Sequence, residues 1–177
     1  MTGRNPRPPT ISGIRSGDWR VIPESSTAGF TVRDKLVTTV HGTVPIRSGN
    51  ATLASAGLLT QASVELDATS IDTGNAHRDR DLAKPGILDT AAHPVVVVTA
   101  GPSTPGPQGW ELAATLAARG AQCPLTLQAT PLSEEDGGIR VQVRGRLDRK
   151  GLGMSVPSFI IGRYLDLDVD LLLTADT

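Results

Sequence analysis

The stretch from Leu165 to Leu171, Leu-Asp-Leu-Asp-Val-Asp-Leu, alternates apolar and carboxylate side chains at every step. An extended strand points successive side chains to opposite faces, so it gathers the leucines and the valine on one side and the aspartates on the other. A helix would scatter the aspartates around its circumference. The segment is a strand with one wet face, and it needs both a sheet to pair with and a core to cover.

The same alternation recurs upstream. Ile139, Val141, Val143, Gly145 and Leu147 alternate with Arg140, Gln142, Arg144, Arg146 and Asp148. Leu112, Ala114, Leu116 and Ala118 form another set, Val64, Leu66 and Ala68 a third, and Phe30 and Val32 a fourth. Leu36, Thr38, Val40, Gly42 and Val44 make a weaker one, and Val95 to Val98 has the length of a strand. Turn residues separate the runs at Ser48-Gly49-Asn50, from Gly101 to Gly109, and from Glu134 to Gly138. Many short strands spaced in this way predict a single all-β domain, an antiparallel sandwich or barrel over residues 18–177. Residues 1–17, rich in Pro, Gly and Arg and without periodicity, read as a flexible N-terminal arm.

One segment breaks the rule. Between Ser70 and Ala91 the alternation stops and charge accumulates. Asn75 is placed to cap a short helix near residues 76–84, which Pro85-Gly86 would stop. Such an insert is well placed to cover a barrel mouth.

Chemistry-bearing patterns are sparse. The net charge of −1 supplies no field to gather nucleic acid or an anionic membrane. The one cysteine, Cys123, can form no internal disulfide, and no cysteine pair exists for a zinc site. His41, His77 and His93 lack the close spacing of a metal site, so neither metal nor cofactor is expected. No nucleophile elbow, phosphate-binding loop or zinc-protease motif occurs. The arginines near the N-terminus precede no apolar run, and no stretch is long enough for a membrane helix, so a cytoplasmic protein is expected.

The apolar faces point instead to an interior. An eight-stranded barrel is either filled by its own side chains or holds one small ligand. The chain has only two Phe, two Trp and one Tyr, and its candidate inner faces carry mostly Val, Leu, Ala, Gly and Thr. Small inner side chains leave room, and an apolar cavity takes apolar ligands. The candidate lining is Phe30, Val32, Val40, Leu66, Val97, Leu112, Leu116, Val141, Val143, Phe159, Ile161 and Leu167. The densest polar cluster, His77 to Asp81, offers Arg78 or Asp79 to a polar ligand end, although alternating charges at a helix start are commonly just solvated.

These motifs together resemble the YceI-like family of polyisoprenoid-binding proteins. The resemblance runs through Trp19 to Gly42, Ser70-Ile71-Asp72-Thr73-Gly74-Asn75 with Arg78, Asp79 and Leu82, then Leu88-Asp89, His93-Pro94 and Arg119-Gly120. It continues through Arg146 to Met154 and closes with Ile160 to Leu173. It implies a lipocalin-like antiparallel barrel of about eight strands that binds an isoprenoid lipid or quinone without catalysis, commonly as a dimer. It also implies Arg78, Asp79 and Arg149 as polar positions at the mouth. The sequence departs from the family pattern by carrying Ser25 and Asp34 in place of two histidines, and Val44, Ile87-Leu88 and Leu152 in place of aromatics. A reshaped cavity is the expected consequence. Two other readings remain open: an enzyme acting on an amphipathic small molecule with Asp79 or His77 as acid or base, and a stress or interaction protein with a filled barrel.

Overall fold

The computed structural model describes residues 9–34, 38–135, 137–154 and 162–176. Its strands are β1 (Gly17–Val21), β2 (Thr27–Asp34), β3 (Thr38–Val44), β4 (Ile46–Leu53), β5 (Leu59–Asp67), β6 (Val95–Ala100), β7 (Trp110–Ala118), β8 (Ala121–Glu135), β9 (Gly138–Asp148) and β10 (Tyr164–Ala175). Their order is β1-β4-β5-β6-β7-β8-β9-β10-β2-β3, and β1 also pairs with β10.

That order reduces to a simple closed barrel. β1 and β2 both lie antiparallel along β10, with Trp19 opposite Ala175 and Phe30 opposite Leu167. Between them the 3-10 turn Pro23–Ser25 bulges outward. The Ile22 N–H donates to the Leu172 carbonyl at 2.8 Å, and the Leu172 N–H donates to Ser26 Oγ at 2.9 Å, so the ladder stays stitched across the break. β3 and β4 are likewise two halves of one bent strand. They meet at Pro45, which has no N–H to give and whose carbonyl accepts from the Asp67 N–H at 2.8 Å. The result is an eight-stranded up-and-down antiparallel barrel in which each strand lies beside its sequence neighbour.

The alternating runs become these strands with the wet and dry faces the pattern requires. On the outer wall, β9 and β10 form an ion-pair ladder: Arg146 to Asp166 at 2.9 Å, Arg144 to Asp168 at 3.7 Å, and Arg140 to Asp170 at 2.7 Å and to Glu135 at 3.0 Å. Tyr164 lies exposed beneath the guanidinium groups of Arg146 and Arg163.

Three features differ from the sequence expectation. Ser48-Gly49-Asn50 is not a turn but the middle of β4, because Gly49 serves packing: a Cβ there would lie 2.7 Å from Val21 Cγ2. Long β8 is missing from the expected runs, although Cys123, Leu125, Leu127 and Ala129 alternate with Pro124, Thr126, Gln128 and Thr130; two prolines within the strand disguise it, and Pro131 sits at a register shift against β9. Part of the expected arm is also folded, since Ile11–Gly13 form a 3-10 turn and Ile14 is buried in the core. The expected turns at 101–109 and 134–138 do join strands.

Helix α1 (Ala76–Leu82) stands between β5 and β6, and the Asn75 side chain caps it by accepting from the Arg78 N–H at 3.0 Å. Its leading loop is tied to β3 by paired backbone bonds between Thr43 and Asp72 at 2.8 and 2.9 Å. The barrel thus has a helix end and an N-terminal end, the latter bearing the turns at 11–13 and 55–57. Among the described residues, no helix is long and apolar enough to cross a membrane.

Candidate functional site

The barrel is not filled. It encloses a chamber of about 210 Å³ lined from every one of the ten strands. Among the described residues no lining side chain is titratable, and Ser63 and Thr99 are the only hydroxyl-bearing ones. The void has a plain origin in the sequence. Register places Ala51 beside Ala62, Ala62 beside Ala100, and Ala100 beside Ala114, so four alanines run side by side across β4 to β7. Ala51, Ala62 and Ala100 face the chamber, and side chains of one carbon cannot reach its axis. Phe30 also lines the chamber and lies across its cross-strand partner Gly42, where a Cβ would run into the ring.

Both tryptophans of the chain face the same space. The Trp110 indole N–H donates to the Gly57 carbonyl at 2.7 Å, and that of Trp19 to the Arg15 carbonyl at 3.0 Å. Both polar handles are therefore spent on the backbone at the N-terminal end, and the rings offer the interior only hydrocarbon. Sequence reasoning did not place either tryptophan in the lining. The signal was available in the rarity of large aromatics, but Trp110 follows a Pro- and Gly-rich loop that hides the strand start.

Of the expected lining residues, Phe30, Leu66, Leu112, Leu116, Val141, Val143 and Leu167 line the chamber. Val32 and Val40 are buried cross-strand partners set one pleat closer to the helix end, and they do not line it. Val97 corrects the expectation. It faces outward beside Val95 and Ala117 in a shallow external groove, while Val98 takes the inner position. A run of four valines carries no alternation from which a face can be read. Phe159 and Ile161 lie outside the described residues.

The expected polar mouth is corrected as well, for none of its three residues lines the chamber. Asp79 accepts from the Thr73 N–H at 3.1 Å and from the Thr73 hydroxyl. Arg78 donates from Nε to Thr73 Oγ1 at 2.8 Å and from Nη2 to the Thr73 carbonyl at 2.9 Å. Both side chains lock the loop that leads into α1. Arg149 is only 4 % exposed and donates from Nε to the Gly162 carbonyl at 2.8 Å; burial pushes its pKa down from the ordinary arginine value. It knits the end of β9 to the start of β10. One pleat beyond Leu116 and Leu125 of the lining, Ala118 and Cys123 are buried on β7 and β8. Burial, and then nearby Asp148, raises the Cys123 thiol pKa, which suits a packing residue rather than a nucleophile.

Other charged groups at this end also serve structure. Arg119 donates from Nη1 to the carbonyls of Gly153 at 2.6 Å and Leu152 at 3.1 Å, and from Nη2 to that of Pro85 at 2.9 Å. His77 pairs with Asp81 at 3.4 Å, and His41 Nδ1 lies 3.0 Å from Thr31 Oγ1 on the outer wall. Among the described residues, no group of three or more His, Cys, Asp or Glu comes together as a metal site would need. Asp148 accepts from Arg163 at 2.7 and 3.0 Å, and that hydrogen bonding holds its carboxyl below the ordinary aspartate value. A carboxyl with a depressed folded pKa contributes stability that is complete above its unfolded value of roughly 4 and is lost as pH falls through the folded value. The thermal midpoint of the protein is thus expected to exceed that of Asp148→Asn at pH 6, with the gap closing as the pH falls below about 4.

Comparison with known proteins agrees with this architecture. Residues 19–174 match the YceI-like domain. The fold superposes on Burkholderia cenocepacia BcnA with a TM-score of 0.73 at 15 % identity, covering 86 % of this chain and 98 % of that one. A polyisoprenoid binding domain from Saccharophagus degradans, implicated in plant cell wall breakdown, gives 0.69 at 16 % identity, covering 89 % and 98 %. The Campylobacter jejuni YCEI protein gives 0.60 at 14 % identity, covering 77 % and 85 %. No curated protein matches the sequence. With the family match spanning nearly the whole described barrel, the chain belongs to the YceI-like family.

Proposed function

We propose that the protein binds an isoprenoid lipid or a quinone-like molecule by its hydrocarbon chain, for carriage or storage and without chemical conversion. The observation that carries this reading is the chamber within the barrel, which has no titratable lining side chain among the described residues. Transfer of hydrocarbon from water into such a space gains roughly 25 cal/mol for each Å² covered and needs no directional chemistry. An acid or base for catalysis would have to reach the chamber, and Asp79, the best sequence candidate, is turned onto Thr73 instead. The likeness to a polyisoprenoid binding domain supports the same ligand class.

The chamber also bounds the ligand. At about 210 Å³ it is smaller than the roughly 300–1,000 Å³ of drug-sized sites, so it suits a few isoprene units rather than a long polyprenyl tail. Neither indole N–H is free to meet a carbonyl group within it. The polar head therefore stays outside the described lining. We take the carrier to be dimeric, as the family resemblance implies, and we place it in the cytoplasm as part of the same proposal.

Native mass spectrometry of the purified protein, followed by solvent extraction, tests the proposal. A stoichiometric prenyl lipid or quinone is the expected result, and the same spectrum reads the dimer. An empty protein that also fails to take up added farnesol would overturn the binding reading.

A further inference from the structure

Of the described residues that line the chamber, Ile14 alone belongs to no strand. Every other lining side chain projects from the wall, whereas Ile14 comes from the segment ahead of β1 and meets the space at its N-terminal end. The segment is fastened on both sides. Ile11 packs on Gly57 so closely that a Cβ there would lie 2.9 Å from Ile11 Cγ2, and Pro105 Cγ would be 3.4 Å away. On the other side the Arg15 carbonyl accepts the Trp19 indole N–H at 3.0 Å. The Ile14 N–H donates to the Ile11 carbonyl at 3.1 Å, which closes the turn and fixes where the isoleucine stands.

We propose that Ile14 is the depth stop of the chamber, so that the length of hydrocarbon chain the barrel accepts is set by a residue outside the barrel wall. The inference rests on the reading that the chamber holds such a chain. It assigns selectivity to the segment before β1 rather than to the helix end, where the expected polar contacts do not reach the lining. Isoleucine to alanine removes three side-chain carbons, somewhat less than one isoprene unit. A prenyl chain one unit too long for the wild type would then come close to fitting.

The test uses linear prenyl alcohols of two, three and four isoprene units: geraniol, farnesol and geranylgeraniol. Wild type, Ile14→Ala, the milder Ile14→Val, the enlarged Ile14→Phe and the outer-wall control Val97→Ala are compared by native mass spectrometry. Ile14→Ala is expected to raise the affinity for the first alcohol that wild type rejects by about tenfold or more relative to the shorter ones. Ile14→Val should give a smaller shift in the same direction, Ile14→Phe the reverse, and Val97→Ala no change. Identical length preference in folded variants that still bind would overturn the proposal.

A ligand-free readout separates this outcome from failure of the binding reading. The chain's only two tryptophans, Trp19 and Trp110, line the chamber and bond to the segments at its N-terminal end, so intrinsic fluorescence reports on that end without a label. Acrylamide is expected to quench Ile14→Ala at least about twofold more efficiently than wild type, because a smaller stop admits the quencher. Failure of every variant to bind any alcohol would overturn the length filter together with the binding reading; increased quenching would then still establish Ile14 as the floor. Unchanged quenching would overturn the floor itself.

Discussion

Ala62→Phe is expected to yield a protein that melts higher than wild type and takes up no prenyl chain. Ala62 stands in β5 between Ala51 and Ala100, with only small neighbours on either side. It is half-buried because its methyl group faces open space rather than a packed partner. An empty chamber of about 210 Å³ costs roughly 5 kcal/mol at about 24 cal/mol per Å³. A phenyl ring placed there fills part of the void and suits a strand, for a gain of about 1–2 kcal/mol. That corresponds to a rise in thermal midpoint of roughly 2–8 °C for a chain of this size. Uptake of farnesol should fall by at least about tenfold, since the ring takes the volume that the ligand needs. Differential scanning calorimetry with and without farnesol reads both effects. Destabilisation by about 1–3 kcal/mol would show instead that the space is already packed.

Trp110→Ala has the opposite expected sign and a larger size. The ring is almost wholly buried, and its indole N–H is the partner of the Gly57 carbonyl. Removal takes away the apolar surface, enlarges the chamber at the end where it is closed, and leaves a buried carbonyl without its donor. The expected loss is about 3–5 kcal/mol, a large share of the roughly 5–15 kcal/mol that holds a typical domain together. Trp110→Phe keeps most of the ring and discards the bond, so it should lose about 1–3 kcal/mol. Urea unfolding followed by circular dichroism measures the pair, and their difference isolates the ring from the hydrogen bond. A loss below about 1 kcal/mol for the alanine variant would remove Trp110 from the structural floor.

The wall of the barrel was legible because alternation is a local property. Leu165 to Leu171 and Ile139 to Leu147 declare their faces residue by residue, and seven of the expected side chains stand on the chamber. The errors fall where local pattern lacks the needed information. Val95 to Val98 are apolar on both faces of the sheet, so nothing in the run distinguishes Val97 from Val98. Gly49 looks like a turn residue until the distant Val21 side chain is seen filling the space where its Cβ would be. Arg78 and Asp79 look available to a ligand, but Thr73 absorbs both through bonds that depend on the three-dimensional course of their loop. The four-alanine row is a matter of register. Ala51, Ala62, Ala100 and Ala114 are far apart in the chain and become neighbours only when four strands align.

β10 pairs with β9 on one side and with both β1 and β2 on the other, joining the chain's first strands to its last. During synthesis on a ribosome, everything before β10 is a curled ribbon with two unsatisfied edges and a greasy inner surface open to the surroundings. Pairing Trp19 with Ala175 demands closure of nearly the longest loop the chain can make, which is the slow kind of contact to form. No closed compartment exists for a cargo until translation has delivered β10. A circular permutant that places β10 ahead of β1 forms the β10–β1 and β10–β2 pairings early but moves the late seam to β9–β10, so it should depend on chaperones about as much while being made.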